Sequence, residues 1–215
     1  MTLSYIVNTY KTERYKINVQ LKGTDYGTWV VFSNYLDYFE NYLAHYSTLK
    51  NMNELVEHAV KGIFVYKDKE YTHQHQKLWR DAGGNDRGIK PEVSKLVIET
   101  IMENVDELNE AIESGDFDVL YDFIKQNKTN KFGGLEIYDT ALRIGAKFNI
   151  VPKNVYLHGS TLIGLRTLEN KKLVEEDLHN KKTVSLKELP EELKGMSPIH
   201  IEDFLNLKRM DFMKI

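Results

Sequence analysis

The sequence predicts a mainly α fold, a helical globular protein with a small β element at its N-terminus. Apolar residues recur every three or four positions over most of the chain, which is the period of an amphipathic helix. β-prone residues are concentrated in the first 22 positions. The 215 residues, 41% of them apolar and 28% charged, have the composition of an ordinary globular protein and suffice to bury a core.

Composition excludes several classes of protein. The chain has no cysteine, which excludes disulfides, thiolate zinc sites and cysteine nucleophiles. No apolar run approaches the ~18 residues of a membrane helix, and the first five residues lack the pattern of a signal peptide. We therefore expect a cytoplasmic protein that makes no membrane contact, and the sequence indicates no cofactor.

Two short strands are expected first. Residues 4–10 are β-prone, and residues 15–21 alternate between apolar and polar side chains. We expect these segments to form a hairpin whose turn lies at residues 11–14.

Residues 29–46 are expected to form a helix, because large apolar side chains recur there at helical spacing. This spacing favours a face buried in the core, and a base-stacking surface or a ligand pocket is the alternative. The stripe consists of Phe32, Leu36, Phe39, Leu43 and Tyr46, flanked by Tyr35, Tyr38 and Tyr42.

Residues 52–66 and 72–80 are also expected to be helical. The second of these segments contains His73 and His75, but two helical residues at this spacing face different sides, and a metal needs three or four convergent ligands. Ordinary surface histidines are therefore favoured, and we predict no metal site.

The glycine-rich residues 83–88 interrupt the helical pattern. We interpret them as a boundary between an N-terminal part, residues 1–82, and a helical C-terminal part, residues 89–215, with one continuous domain as the alternative. Pro91 suits the first turn of a helix that extends to residue 113 and carries glutamates along one side. A solvated face is favoured over a metal site or acid–base chemistry for these glutamates.

Charge is distributed unevenly along the chain. Residues 125–172 carry nine Lys or Arg and three acids, an excess of six, whereas the whole chain has a formal net charge of −3. The remainder therefore sums to about −9. A cationic segment in an acidic protein is where an anionic partner is expected.

A glycine turn lies within the basic segment, between two predicted helices, and includes Lys128, Lys131, Gly133 and Gly134. The layout over residues 117–148 resembles the helix–hairpin–helix module of DNA glycosylases and repair nucleases. That resemblance implies that the hairpin backbone and the lysines contact nucleic-acid phosphates. The family's Gly-x-Gly spacing is absent, and so is the lysine–aspartate pair used for base excision. The alternative is that the glycines only turn the chain.

Two further cations follow on the second of these helices, Arg143 and Lys147, and both are candidate ligands for the same anion. Asp139 lies four residues before Arg143, so the two can pair across one helical turn. Structural pairing is favoured over direct contact between Arg143 and a phosphate.

His158, Gly159 and Ser160 resemble the first nicotinamide-contacting motif of ADP-ribosyltransferases of the His-Tyr-Glu kind, in which the histidine binds the NAD ribose. This resemblance implies an NAD- or nucleotide-using enzyme with His158 and Ser160 in its site. Those domains also need several strands, a tyrosine and a late glutamate. The 55 residues after Ser160 contain no tyrosine, and Glu202 falls in a predicted helix.

The last 90 or so residues resemble a pattern found in uncharacterised bacterial proteins. The similar segments are residues 138–145, 155–161, 189–193 and 201–205. This resemblance implies a grouping and no activity.

Three functions are therefore open. The leading hypothesis is a binding protein that contacts DNA, RNA or a phosphorylated ligand through the basic glycine hairpin. The second is a protein–protein module, an inhibitor or adaptor, whose acidic N-terminal half meets a basic protein partner. The third is the NAD- or nucleotide-using enzyme around His158.

Overall fold

The computed structural model describes residues 1–24, 27–73, 76, 78–80 and 83–215, with the backbone alone described at positions 80 and 86. The fold is mainly α, as predicted, and 57% helical. The chain divides into two compact units. We call Met1–Arg14, Ser33–Leu36 and Pro152–Ile215 the terminal unit, and Tyr15–Phe32 with Asp37–Val151 the central unit.

Ten α-helices lie within the described residues. In chain order they are α1 (Leu3–Thr12), α2 (Tyr35–Thr48), α3 (Met52–Lys61), α4 (Pro91–Glu103), α5 (Val105–Glu113), α6 (Phe117–Gln126), α7 (Gly134–Phe148), α8 (Gly159–Asn170), α9 (Glu191–Lys194) and α10 (Pro198–Leu207). The strands are β1 (Tyr15–Leu21), β2 (Gly27–Phe32), β3 (Ile63–Tyr66), β4 (Lys69–His73), β5 (Trp79–Arg80), β6 (Asp86–Arg87), β7 (Val155–Tyr156) and β8 (Thr183–Val184).

The β element of the central unit is a four-stranded antiparallel sheet in the order β2-β1-β4-β3. Strands β3 and β4 are joined by Lys67 and Asp68, both with positive φ, as a tight two-residue hairpin requires. One face of the sheet packs in the core and carries the buried side chains of Val19, Phe32 and Phe64. The predicted β element is thus larger than a hairpin and includes residues far along the chain.

Local signals set several helix ends in the central unit. The side chain of Asn51 accepts a hydrogen bond from the Glu54 amide at 2.8 Å and caps α3, which ends at Gly62 in the left-handed region. Asp116 caps α6 through the Asp118 amide at 2.8 Å. Pro91 occupies the first turn of α4, as predicted.

The aromatic stripe of α2 packs in the core, as its spacing predicts. The buried face differs from the predicted one, because the tyrosines form it and Leu36 and Leu43 are only half-buried. Its aromatic members are Tyr35, Tyr38, Phe39, Tyr42 and Tyr46.

The terminal unit is built on α8 and α10, which pack closely because Gly164 lies against the main-chain carbonyl of Leu205. Strands β7 and β8 pair antiparallel. Leu165, Ile201 and Phe204 lie fully buried in its core.

Several sequence-based assignments are wrong. Residues 4–10 form α1, not a strand, because Leu3, Ile6, Val7 and Tyr10 recur at helical spacing and are buried, while Thr2 caps the first turn. The predicted hairpin with a turn at 11–14 is therefore absent, and β1 pairs with β2 and β4.

Four predicted helices also differ from the structure. Residues 29–32 belong to β2, residues 63–66 to β3, and residues 72–73 and 79–80 to strands. The helix expected over 91–113 is two helices that meet at Asn104, and their glutamates are exposed, as predicted. The glycine-rich residues 83–88 lie inside the central unit, which extends on both sides of them.

None of the helices in the described part of the chain is both long and apolar enough to span a membrane.

Candidate functional site

The glycine turn lies between α6 and α7, so the two flanking helices are present as the spacing of their apolar residues predicts. Lys128, Lys131, Gly133 and Gly134 are all exposed. Gly133 is extended at the start of α7, with φ −85° and ψ −174°, so no positive φ demands a glycine there. A Cβ at Gly133 would meet the carboxylate of Glu136 at 2.8 Å. An acidic group therefore already occupies the position that an anion would take at this helix end.

Arg143 is not part of a surface patch. Its side chain is 1% exposed, and each of its three nitrogens donates to a protein oxygen. Nε donates to the Tyr42 hydroxyl, Nη1 to the Ala59 carbonyl at 2.8 Å and Nη2 to Asp139 Oδ2 at 2.9 Å. The prediction that Arg143 binds an external anion is wrong, because burial and these acceptors commit it to the core.

The groups around Arg143 favour its charged form. Burial raises the pKa of Tyr42 to about 12, so that its hydroxyl stays neutral. Burial alone would lower the pKa of Arg143, but Tyr42 and Asp139 hold it above its ordinary value. The guanidinium is therefore charged inside the protein, and the predicted structural pairing with Asp139 is confirmed.

The amine of Lys147 donates to the main-chain carbonyl of Leu49, so it is held in the protein. His158 and Ser160 belong to the terminal unit, whereas the other six predicted site residues belong to the central unit. The basic segment of the sequence is therefore divided between two compact units.

His158 lies just before α8, and its Nε2 is 3.3 Å from Glu202 Oε1. Thr161 donates to the same oxygen at 2.6 Å. Sequence reasoning placed Glu202 in a helix, and the structure places that helix, α10, beside His158. In the described part of the terminal unit the strands are β7 and β8, of two residues each, so the sheet of an ADP-ribosyltransferase does not accompany the motif.

Only one of the two predicted histidines is described, and the expectation of an ordinary surface histidine is wrong for it. His73 is buried on β4, and its Nε2 lies 2.9 Å from the Tyr38 hydroxyl. His75 lies outside the described residues. Among the side chains that the structure describes, no group of three or more His, Asp or Glu could hold a metal ion.

A cavity of about 570 Å³ lies in the central unit and was not expected from the sequence. This volume is in the range of roughly 300–1,000 Å³ typical of small-molecule sites. Its lining comes from five separate stretches of the described chain: Lys22, Gly23, Lys61, Ile63, Glu70, Thr72, Gln76, Leu78, Ile89, Pro91, Ser94 and Lys95.

The exposed side of the cavity is cationic. Lys22, Lys61 and Lys95 have side chains that are 71%, 41% and 76% exposed. Each pairs with a glutamate, Lys22 with Glu70 at 2.9 Å, and of these glutamates only Glu70 lines the cavity. Among the described residues of the lining, three lysines against one acid give an excess of two positive charges.

The inner side of the cavity combines apolar and polar groups. Gln76, Ser94 and Ile89 are each less than 5% exposed. Gln76 Nε2 donates to Asp139 Oδ2 at 3.4 Å, and within the described residues its Oε1 has no hydrogen-bond donor. A buried oxygen without a donor is uncommon in a folded protein and calls for a partner.

Gly62 makes room for Gln76. It ends α3 with φ +62°, and a Cβ there would meet Gln76 Cγ at 2.5 Å. The missing side chain at position 62 therefore lets Gln76 pack beside the end of α3. Sequence reasoning missed these residues because none of them belongs to a motif, and they converge only through the sheet and helices α3 and α4.

Comparisons with known proteins give no further guide: no family model, no curated protein and no solved structure matches this chain. The resemblances to uncharacterised bacterial proteins and to the helix–hairpin–helix module therefore stay predictions.

Proposed function

We propose that this protein binds a small phosphorylated ligand in the cavity of the central unit. The observation that carries the proposal is the trio Lys22, Lys61 and Lys95 on the exposed side of a cavity of about 570 Å³. A phosphate group carries roughly −1.5 to −2 charges at neutral pH, close to the excess charge of the lining.

The ion pairs of these lysines do not prevent phosphate binding. Exposed Lys–Glu pairs are worth at most about 1 kcal/mol, because both groups are well solvated. The Lys95–Glu99 distance of 3.6 Å is also longer than that of a charge-assisted hydrogen bond. A phosphate can therefore recruit the three amines at small cost.

The test is titration calorimetry with inorganic pyrophosphate, ribose 5-phosphate and nucleoside monophosphates at low and high salt. The triple variant Lys22→Gln, Lys61→Gln and Lys95→Gln should weaken binding roughly tenfold or more, since three favourable charges are lost. Binding should also fall as salt rises.

The matched control removes three exposed lysines elsewhere in the same unit, Lys125→Gln, Lys128→Gln and Lys131→Gln. This control should bind like the wild type. The proposal is overturned if no phosphorylated probe binds the wild type, or if the two triple variants are weakened equally.

Nucleic-acid contact by the glycine hairpin is a second candidate. It is supported by Lys125, Lys128 and Lys131, which are exposed and form no ion pair within the described residues. Phosphate contacts of this kind give an affinity that falls steeply with salt.

The variant Lys128→Glu with Lys131→Glu tests this candidate by fluorescence anisotropy with labelled DNA and RNA at two salt concentrations. Affinity should fall and become less dependent on salt. Here the cavity triple is the control and should bind nucleic acid like the wild type. Unchanged affinity in the hairpin variant would remove the candidate.

A further inference from the structure

The edge of the central sheet at β2 lacks the usual protection against pairing with another strand. The order β2-β1-β4-β3 gives β2 one neighbour, and within the described part of the chain residues 27–32 form no backbone hydrogen bond outside the sheet. Every second residue of an edge strand directs its N–H and C=O groups away from the sheet. Natural edge strands commonly carry a charge, a proline or a bulge that prevents further pairing. The sequence of β2, Gly-Thr-Trp-Val-Val-Phe, contains no charged residue and no proline.

Two large apolar side chains are exposed on the same face of this strand. Trp29 is 65% exposed and Val31 is 44% exposed, whereas Val30 and Phe32 on the other face are buried. Single exposed apolar residues are common on protein surfaces. Two of them on one uncharged edge strand are instead typical of a surface that a further strand covers.

The opposite edge strand, β3, is a poorer template for pairing. It has four residues rather than six, and Ile63 on its outer face lines the cavity, as do Glu70 and Thr72 on β4. A strand added at β2 lies at the other side of the sheet. Pairing there therefore leaves the cavity open to a ligand.

The sequence of β2 matches a second copy of itself. In an antiparallel pair centred on Val30, Trp29 of each copy lies opposite Val31 of the other, so both apolar side chains gain a cross-strand partner. On the neighbouring strand β1, Lys16 lies opposite Val31 and Asn18 lies opposite Trp29. Each row across the joined sheets therefore contains one lysine, two apolar side chains and one asparagine, with no like charges side by side.

The lysines of the two copies do not oppose this pairing. The two Lys16 side chains are separated by three strand spacings of about 4.8 Å, which amounts to roughly 14 Å or more. This separation exceeds the Debye length of about 8 Å at physiological ionic strength, so their repulsion is largely screened.

We infer that two copies of this chain associate through antiparallel pairing of β2 with β2, which joins their four-stranded sheets into one sheet of eight strands. The inference goes beyond the proposed ligand site and does not depend on it. Six residues from each copy are far fewer than the roughly 20–30 of a standard interface. The dimer is therefore weak, with a Kd of roughly 10 µM to 1 mM.

Sedimentation velocity of the full chain at roughly 5 µM to 1 mM tests the inference, and the wild type should change from monomer to dimer over this range. Val31→Glu should weaken the association roughly tenfold or more, because it places a carboxylate against Trp29 of the other copy. Within one copy the new carboxylate faces Lys16 across the strand pair, so this variant should keep the fold. The control Val119→Lys changes an exposed apolar side chain of α6 and should associate like the wild type.

Mixing two variants tests the register of the pairing. Trp29→Lys should also weaken self-association, and Val119→Lys is its matched control. When Val31→Glu pairs with Trp29→Lys, the carboxylate and the amine lie opposite each other in one row, and the native Trp29 and Val31 meet in the other. An equimolar mixture should therefore dimerise roughly tenfold more tightly than either variant alone, which also shows that both variants are folded.

Tryptophan emission gives a further test that leaves the interface unchanged. The chain contains two tryptophans, so Trp79→Phe makes Trp29 the only one. Its emission should shift to shorter wavelength as the protein is concentrated, because Trp29 loses contact with water.

Three results would overturn the inference. The first is a wild type that stays monomeric to about 1 mM, which would leave the β2 edge to an extended peptide of another protein. The second is a dimer that Val31→Glu does not weaken and that forms without a shift of the Trp29 emission. The third is a mixture of the two variants that associates as weakly as its components.

Discussion

Replacing Arg143 with methionine should destabilise the central unit more than any surface change. The side chain is 1% exposed, and the substitution keeps most of its apolar stem while removing the charge. Tyr42, Ala59 and Asp139 would each lose a hydrogen bond. Removing one partner of a buried ion pair typically costs about 3–5 kcal/mol, because the other charge stays buried without compensation.

The charge of Asp139 can be tested separately. Asp139→Asn keeps an acceptor oxygen, and the carboxylate is 22% exposed, so this variant should cost less, about 1–3 kcal/mol. Once Arg143 is methionine, the carboxylate of Asp139 no longer has the guanidinium as its ion-pair partner. The double variant should therefore be little worse than Arg143→Met, with a coupling energy of about 1–3 kcal/mol.

Urea unfolding followed by tryptophan fluorescence is the appropriate assay. The chain has two tryptophans, Trp29 and Trp79, and both belong to the central unit, so the signal reports on the part that contains Arg143. Variants are compared by the free energy of unfolding at equal denaturant dependence. A loss of less than about 1 kcal/mol for Arg143→Met, or strictly additive effects, would show that the guanidinium is not a paired core charge.

Three further changes have defined outcomes. Gly164→Ala should lower the calorimetric melting temperature of the terminal unit, at a cost of about 1–3 kcal/mol, because the new methyl group meets the Leu205 carbonyl; an unchanged melting temperature would contradict the close packing. Burial, together with the neighbouring His58, lowers the pKa of His45 to about 4. As pH falls, the histidine of the unfolded chain takes up its proton before the folded one does, so the free energy of unfolding should be highest above pH ~6.5 and fall as pH drops towards 4. In urea titrations at several pH values, His45→Gln should weaken this pH dependence. Parallel curves for the variant and the wild type would contradict the role of His45. Asp116→Ala should cost about 1 kcal/mol through loss of the α6 cap, measured by the same unfolding assay, and a neutral result would mean that the cap is dispensable.

The comparison of α1 with α3 shows where sequence reasoning succeeds and fails. Asn51 and Gly62 bracket α3 with a cap and a stop, and its start is predicted correctly. In α1, β-prone residues led to a strand assignment, although the burial of Leu3, Ile6, Val7 and Tyr10 follows helical spacing. Propensity is the weaker signal, and the period of the apolar residues should take precedence over it.

The candidate site was predictable only in part. The exposure of Lys128 and Lys131 in a polar turn follows from local sequence, and so does the possibility of an Asp139–Arg143 pair. That Arg143 is buried does not follow, because an arginine four residues from an aspartate is usually on the surface. No pattern in the sequence predicted the cavity, because no motif connects Lys22 with Gln76.

By itself, the sequence determined the mainly α class, the start of α4 at Pro91 and the burial of the aromatic stripe. These features depend on hydrogen bonds and side-chain spacings over a few residues, so they are present in any short window of the chain. Only the tertiary structure decided that Arg143 reaches Tyr42, 101 positions away, and that lysines from three separate stretches of the chain border one cavity. Such contacts arise when the sheet and the helices bury their apolar faces against one another. That packing decides which charged side chains become buried and which stay exposed, and the sequence pattern around each charge does not distinguish them.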